Sequence, residues 1–222
     1  LVSIVTVAYR DTHSLSETIT CVDAQKVKDF EHIIVASGLS IAERDQLVSQ
    51  FSSSNRIFFL NQDFSVYNAM NKGIEAASGT HIYFLNSGDK FATKRSLSLL
   101  MDAAMSDNCA AFATIQEFDQ DVYLRLPAGP NIGAVYKNAH QGFLAPLPKD
   151  KKSRIFYDER LLVSADQKWM RECVERFGLY TNHQPVAVFA LGGISNLPSL
   201  KAIMLRLGSK EYKVVIILLF KL

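Results

Sequence analysis

The 222-residue sequence has little cysteine, little net charge and no long apolar run. Its three cysteines, Cys21, Cys109 and Cys173, are far apart and form no Cys-x-x-Cys pair. That argues against a disulfide framework or a zinc-thiolate site and fits a reducing compartment. A formal charge of +2 gives no global electrostatic case for a nucleic-acid partner. The longest purely apolar run, residues 214–220, is far short of the roughly 20 residues a membrane-spanning helix needs. Residues 1–8 are apolar but lack a basic leader and meet Arg10 and Asp11 at once, so they read as a strand and not as a secretion signal. Several catalytic signatures are also missing. There is no Gly-x-Gly-x-x-Gly after the first strand, no P-loop, no Gly-x-Ser-x-Gly elbow and no His-Glu-x-x-His. These absences argue against a dinucleotide loop, a P-loop nucleotidase, an α/β-hydrolase and a zinc peptidase.

What is present is a globular chain with strands and helices in alternation. The hydrophobic fraction, 48%, is that of a folded domain with a full core. β-Branched and aromatic runs predict strands over residues 2–9, 32–37, 56–60, 81–85 and 110–116. Helices are expected from a capping box at Ser14 and Glu17 to about residue 24, and over residues 41–51, 66–77 and 94–105. Such alternation predicts an α/β fold with a mostly parallel sheet covered by helices on both faces. Beyond residue 117 the rhythm breaks. A short strand at 122–126, a proline-bearing loop over 127–148, a helix over 166–177, a strand over 186–191 and a helix over 200–207 are expected there. One domain with an irregular second half is the simplest organisation.

Ligands of parallel sheets bind beyond the carboxyl ends of the strands. Those ends are polar at three places here: Tyr9-Arg10-Asp11, residues 36–40 and Asn86-Ser87-Gly88-Asp89. The last of these runs an apolar strand into a tight turn ending in a carboxylate. It suits a hard divalent cation, and it equally suits an ordinary turn before a helix. The stretch from Asp63 to Ile74 leads into the helix expected from residue 66, with Val66, Met70 and Ile74 in the core and Asn71 and Lys72 on a solvated face.

Taken together, Ser-Ile-Val-Thr-Val-Ala-Tyr (residues 3–9), the stretch from Asp63 to Gly79 and Tyr-Phe-Leu-Asn-Ser-Gly-Asp (83–89) form a specific pattern. With His-Gln-Gly-Phe (140–143), Ser-Ala-Asp (164–166) and Gly-Gly-Ile-Ser (192–195), it resembles family 2 glycosyltransferases of the GT-A fold, a Rossmann-like sheet with an irregular acceptor-side half. The branch it is similar to builds bacterial surface polysaccharide. The resemblance implies an inverting transfer of sugar from a nucleotide-diphosphate sugar to an acceptor hydroxyl. It places Asp89 on Mg²⁺ or Mn²⁺ and Tyr9 against the nucleobase. Asp63, Asn71, Asn86, Ser87 and Gly88 line the nucleotide-sugar pocket, Asp166 is the catalytic base, and His140 and Gln141 stand on the acceptor side. Residues 36–40 (Ala-Ser-Gly-Leu-Ser) stand where relatives often carry an acidic run, so the base is left open. A non-catalytic nucleotide-sugar binding or scaffold protein is the alternative.

The charge is unevenly spread. In residues 196–222, Lys201, Arg206, Lys210, Lys213 and Lys221 face only Glu211, which leaves this tail at +4 and residues 1–195 at −2. Apolar residues recur at helical spacing in the same tail. Two readings are open: a helix on an anionic membrane surface, or an element packed on the core. The expected layout is thus a transferase domain over residues 1–195 and a basic tail over 196–222. The expected place is the cytoplasm, peripheral on the inner face of the plasma membrane, and the expected acceptor is lipid-linked or an oligosaccharide.

Overall fold

The computed structural model describes residues 1–60, 65–118, 121–129, 138–161 and 163–190. Asp63, Gly-Gly-Ile-Ser at 192–195 and the basic tail lie outside the described residues. Among the described residues, the chain runs β1 (Val2–Tyr9), α1 (Thr12–Asp23), β2 (Phe30–Ser37), α2 (Ile41–Phe51), β3 (Arg56–Phe59), α3 (Val66–Ala76), β4 (His81–Phe84) and β5 (Lys90–Phe91). It continues through α4 (Ser96–Ala103), β6 (Cys109–Phe118), β7 (Asp121–Arg125), β8 (Phe143–Pro146), α5 (Ala165–Phe177) and β9 (Leu179–Ala190). The strands form one sheet in the order β3-β2-β1-β4-β8-β6-β9-β5, with β7 paired to β6 off that path.

The regular alternation builds the parallel half, in which β1 lies between β2 and β4 and β2 pairs with β3. The irregular part of the sequence builds a mixed half. There β8 runs antiparallel to β4 and β6, and β9 runs parallel to β6. β1 is buried from Val2 to Ala8 because helices cover both of its faces. Val5 and Val7 belong to one core cluster with Met70 and Ile74 of α3 and Trp169 of α5, while Ala8, Ile34 and Ala36 belong to a second with Leu15, Ile19, Leu47 and Phe51. Strand alternation sorts these side chains by face. Each fully buried aliphatic side chain contributes about 1.5–3 kcal/mol.

Three local expectations are corrected. α1 begins at Thr12, not at a Ser14 box: Asp11 is its N-cap and accepts from the Ser14 N–H at 2.9 Å. An aspartate already stands at the point where β1 releases the chain, so no later cap is needed. The reciprocal box forms on α2, where Ser40 N–H donates to Glu43 at 2.7 Å and Glu43 N–H donates to Ser40 Oγ at 3.3 Å. Val66 is 49% exposed and not core. The buried stripe of α3 runs through Tyr67, Met70 and Ile74 instead, which keeps helical spacing but starts one residue later. β5, only two residues long, carries no periodic signal, and β9 begins seven residues before its apolar run because its polar first half pairs with β6.

A buried polar line crosses the parallel half and ends at the candidate site. Arg56 bridges Asp23 and donates to His32 Nδ1 at 3.4 Å. The other ring nitrogen of His32 lies 2.8 Å from Thr6 Oγ1, and Thr6 in turn donates to the Leu85 carbonyl at 2.8 Å. Because the Thr6 hydroxyl proton is spent on Leu85, His32 Nε2 must be the donor to Thr6. Burial, reinforced by the Arg56 charge, pushes the His32 imidazole down to about 3, so the ring is neutral. This line fixes the backbone residue immediately before Asn86.

Candidate active site

The site is assembled around the carboxyl end of β4. After Phe84 the chain stays beside β1, with Leu85 N–H donating to Val5 and Ser87 N–H to Val7, both at 3.0 Å. It then folds into a tight turn in which Asp89 N–H donates to the Asn86 carbonyl at 2.9 Å. Gly88 sits in the turn at φ +90°, a conformation that side-chain-bearing residues rarely adopt. Thr18 of α1 locks the turn from below. Its hydroxyl accepts from Gly88 N–H at 3.0 Å and donates to the Asp89 carbonyl at 2.9 Å.

Asp89 is 8% exposed. Burial pushes its carboxyl up to about 6, against the opposing influence of His140, a hydrogen bond from Gln141 and the Asn86 N–H. Asn86 Oδ1 and Ser87 Oγ are buried and have no hydrogen-bond partner among the described residues. A buried carboxylate and two unpartnered neutral oxygens make an all-oxygen donor set, which suits Mg²⁺ or Mn²⁺ and not a soft metal. Among the described residues no three His, Cys, Asp or Glu side chains gather as a metal cage. An ion here would therefore complete its shell with diphosphate oxygens and water, as Mg²⁺ does at phosphate sites.

Asp166 lies in the first turn of α5, after Ser164 at φ +66°, and its side chain is 27% exposed. Burial raises its carboxyl, but the hydrogen bond and charge of His140, with the backbone N–H groups of Gln167 and Asp166, outweigh that and hold it below the usual carboxylate value. Asp166 is thus ionised at neutral pH, as a proton acceptor must be. His140 connects the two carboxylate regions: Nδ1 is 3.7 Å from Asp166 Oδ2 and Nε2 is 3.1 Å from Asn86 Nδ2. The structure thus brings Asn86, Ser87, Gly88, Asp89, His140, Gln141 and Asp166 together.

Tyr9 and Asn71 are placed apart from that group. Tyr9 is 58% exposed at the end of β1, with the Arg10 guanidinium 5.0 Å from its ring centre. A free aromatic face at a strand end suits stacking on a planar base. Asn71 is buried, and its amide is fully engaged. It donates to the Tyr157 carbonyl at 3.0 Å and Glu159 at 2.7 Å, and accepts from Tyr157 N–H at 2.7 Å. Here it fastens α3 to the segment leading into α5.

Sequence reasoning missed three contributors. Thr18 gave no signal on a helix face. Glu159, which also accepts from Asn68 at 2.9 Å, is held only through tertiary contact. Arg125 on β7 lies in the field of Asp166 and is pushed down by burial. A groove of about 630 Å³ between α1 and α2, lined by Ser16, Glu17, Thr20, Glu43 and Gln50, is separate from this group.

In this α/β fold a strand-end turn with one buried carboxylate thus faces a second carboxylate through a histidine. Comparison with known proteins places the chain in a family. The pattern of the family described as Glycosyl transferase family 2 matches residues 3–174, and the chain belongs to that family. It is 35% identical over 95 residues to "Uncharacterized glycosyltransferase Rv1514c" of Mycobacterium tuberculosis (strain ATCC 25618 / H37Rv), a match covering 41% of this chain. The match spans about a third (35%) of that relative's length. Among solved structures, S. aureus TarS 1-349 in complex with UDP-GlcNAc superposes with a TM-score of 0.69 at 14% identity, covering 86% of this chain and 59% of TarS 1-349. The mannosyltransferase PcManGT from Pyrobaculum calidifontis, in complex with GDP-Man and Mn²⁺, gives 0.64 at 11%, covering 88% and 58%. At such identities these structures establish the fold, which is the GT-A arrangement expected from the sequence.

Proposed function

We propose that this chain transfers a sugar from a nucleotide-diphosphate sugar to an acceptor hydroxyl, with inversion at the anomeric carbon, in bacterial surface polysaccharide assembly. The observation that carries the reading is the pairing of a buried carboxylate in the Asn86–Asp89 turn with an ionised one, Asp166, on the facing helix. Inversion needs one base and no covalent nucleophile. In this mechanism Asp166 Oδ2 or Oδ1 accepts the acceptor hydroxyl's proton as that oxygen attacks. Tyr9 packs on the nucleobase, and Asn71 supports the donor pocket from behind by holding the segment at Tyr157 and Glu159. Asn86, Ser87 and Gly88 face the diphosphate, and Gly88, with only Ser14 Cβ near the position of an added Cβ at 3.9 Å, leaves room for it. Asp89 would hold Mg²⁺ or Mn²⁺, which when bound supplies Lewis-acid stabilisation of the departing nucleoside diphosphate. His140 and Gln141 border the side from which the acceptor enters.

The expected result is nucleoside diphosphate release from one of a panel of UDP-, GDP- and dTDP-sugars in Mn²⁺ with a lipid-linked or oligosaccharide acceptor. Donor binding with no turnover on any acceptor would favour the scaffold alternative, and no donor binding at all would remove both. Among the described residues no helix is long and apolar enough to cross a membrane. The +4 tail supports a peripheral location on the inner face of the plasma membrane. Accordingly the protein should cosediment with anionic vesicles at low salt and lose that binding when residues 196–222 are deleted. Equal cosedimentation of the deleted and full chains would sink the membrane role of the tail.

A further inference from the structure

The resemblance puts His140 and Gln141 beside the acceptor, yet their atoms are committed elsewhere. They form a single 3-10 turn, His140–Gly142, that leads into β8. β8 is held between β4 and β6, with Tyr83 opposite Leu144 and Phe143 opposite Ala111. The turn therefore stands between the end of β4, where the Asn86–Asp89 turn begins, and the start of α5, where Asp166 sits. It is anchored on both sides. The Tyr83 hydroxyl donates to the Gln141 carbonyl. Gly142 packs so closely on β6 that an added Cβ would lie 2.6 Å from the Phe112 carbonyl oxygen.

From this anchored turn two side chains reach out. His140 lies between Asn86 and Asp166, and the buried Gln141 side chain stands near Asp89, whose carboxyl it draws down against the effect of burial. A carboxylate faces Nδ1 and offers only acceptor lone pairs, so Nδ1 carries a proton. In the neutral ring Nε2 is then an acceptor, and the NH₂ group of Asn86, 3.1 Å away, meets it. That arrangement turns the Asn86 nitrogen toward His140 and leaves its Oδ1 without a partner among the described residues.

We infer that His140 is a positioning residue that locks the diphosphate turn to the base-bearing helix by standing between Asn86 and Asp166, and that it does not read the acceptor. The inference rests on the glycosyl-transfer reading for its kinetic consequence but not for its structural one. Partners of this kind, which orient ligating or reacting groups without touching substrate, typically change activity by about 10–100-fold.

Two measurements test it together. The first compares wild type with His140→Ala and His140→Asn for sugar transfer and for acceptor-free hydrolysis of the same donor. Positioning predicts that His140→Ala lowers both reactions by the same factor, about 10–100-fold, with the acceptor KM unchanged. His140→Asn, which can still donate to Asp166, should recover part of the loss. Unchanged hydrolysis with a raised acceptor KM would overturn the inference in favour of acceptor contact. The second is ¹⁵N NMR of the histidine side chains in the ligand-free protein. A single Nδ1–H tautomer for His140, lost in Asp166→Ala and kept in Asp166→Asn, supports the lock. An Nε2–H tautomer, or no response to Asp166→Ala, overturns it. If wild type turns over no donor, the glycosyl-transfer reading fails while the tautomer result still decides the lock.

Discussion

Asp166→Asn is expected to lower sugar transfer by about 10²–10⁴-fold, the usual worth of a positioned general base, while leaving donor affinity within a few-fold of wild type. Asparagine keeps the shape of the side chain, and its oxygen can still accept from His140 Nδ1. What it cannot do is take a proton. The carboxylate of Asp166 lies at the first turn of α5, where negative charge is stabilised by roughly 0.3–1 kcal/mol, so the substitution costs little stability. The pH profile adds an independent check. His140 and the backbone N–H groups hold Asp166 below its ordinary value, so wild-type transfer should not lose its base until the pH falls below the normal carboxylate range. Isothermal titration of the donor with Mn²⁺, beside initial rates of nucleoside diphosphate release, separates binding from chemistry. Equal turnover by wild type and Asp166→Asn would remove Asp166 from the mechanism.

Much of this arrangement can be read from the sequence, and what cannot has a common cause. The parallel half is legible because β1, β2 and β4 are mostly apolar strands and each is followed by a polar stop. The turn at Asn86–Asp89 is legible for the same reason, as an apolar strand breaking into Asn, Ser, Gly and Asp. Asp166 is legible only through the family resemblance, since an aspartate at a helix start is otherwise an ordinary dipole partner. Asn71 shows where pattern reading fails. It lies beside the apolar stripe of α3 and looks solvated, but the segment carrying Tyr157 and Glu159, 86 and 88 residues away, folds over it and engages its whole amide. Thr18 is silent in the sequence for the same reason. Its role is set by Gly88 and Asp89, distant in sequence, and a threonine on a helix has no periodicity to announce it. The second half of the sheet was hard to read because its pairings are mixed in direction and its strands are half polar, as in the first part of β9.

Asp89→Asn is expected to make the metal-free protein more stable and to abolish its metal-dependent donor binding. Burial holds the Asp89 carboxyl at about 6 in the fold, against an ordinary value of 3.8. Ionising it there costs the folded state about 3 kcal/mol at neutral pH. The sign follows from linkage. Below pH 3.8 both states are protonated and there is no cost; the cost accumulates as pH rises from 3.8 to about 6 and is constant above that. An asparagine carries no charge at any of these values, and its carbonyl oxygen can keep the bond from Asn86 N–H. Thermal unfolding without metal at pH 7 should therefore shift upward by roughly 6–12 °C in the variant, at the roughly 2–4 °C per kcal/mol typical of a chain this long. The gap between variant and wild type should close near pH 4. Adding Mn²⁺ with a nucleoside diphosphate should reverse the order, because ligand bound only by the folded wild type stabilises it by mass action. A variant that is no more stable at pH 7, or that gains as much from Mn²⁺ and nucleotide as wild type does, would show that Asp89 is neither the strained carboxylate nor the metal ligand. The opposite outcome would show that the instability of this turn in the empty protein is the cost of its affinity for a cation in the loaded one.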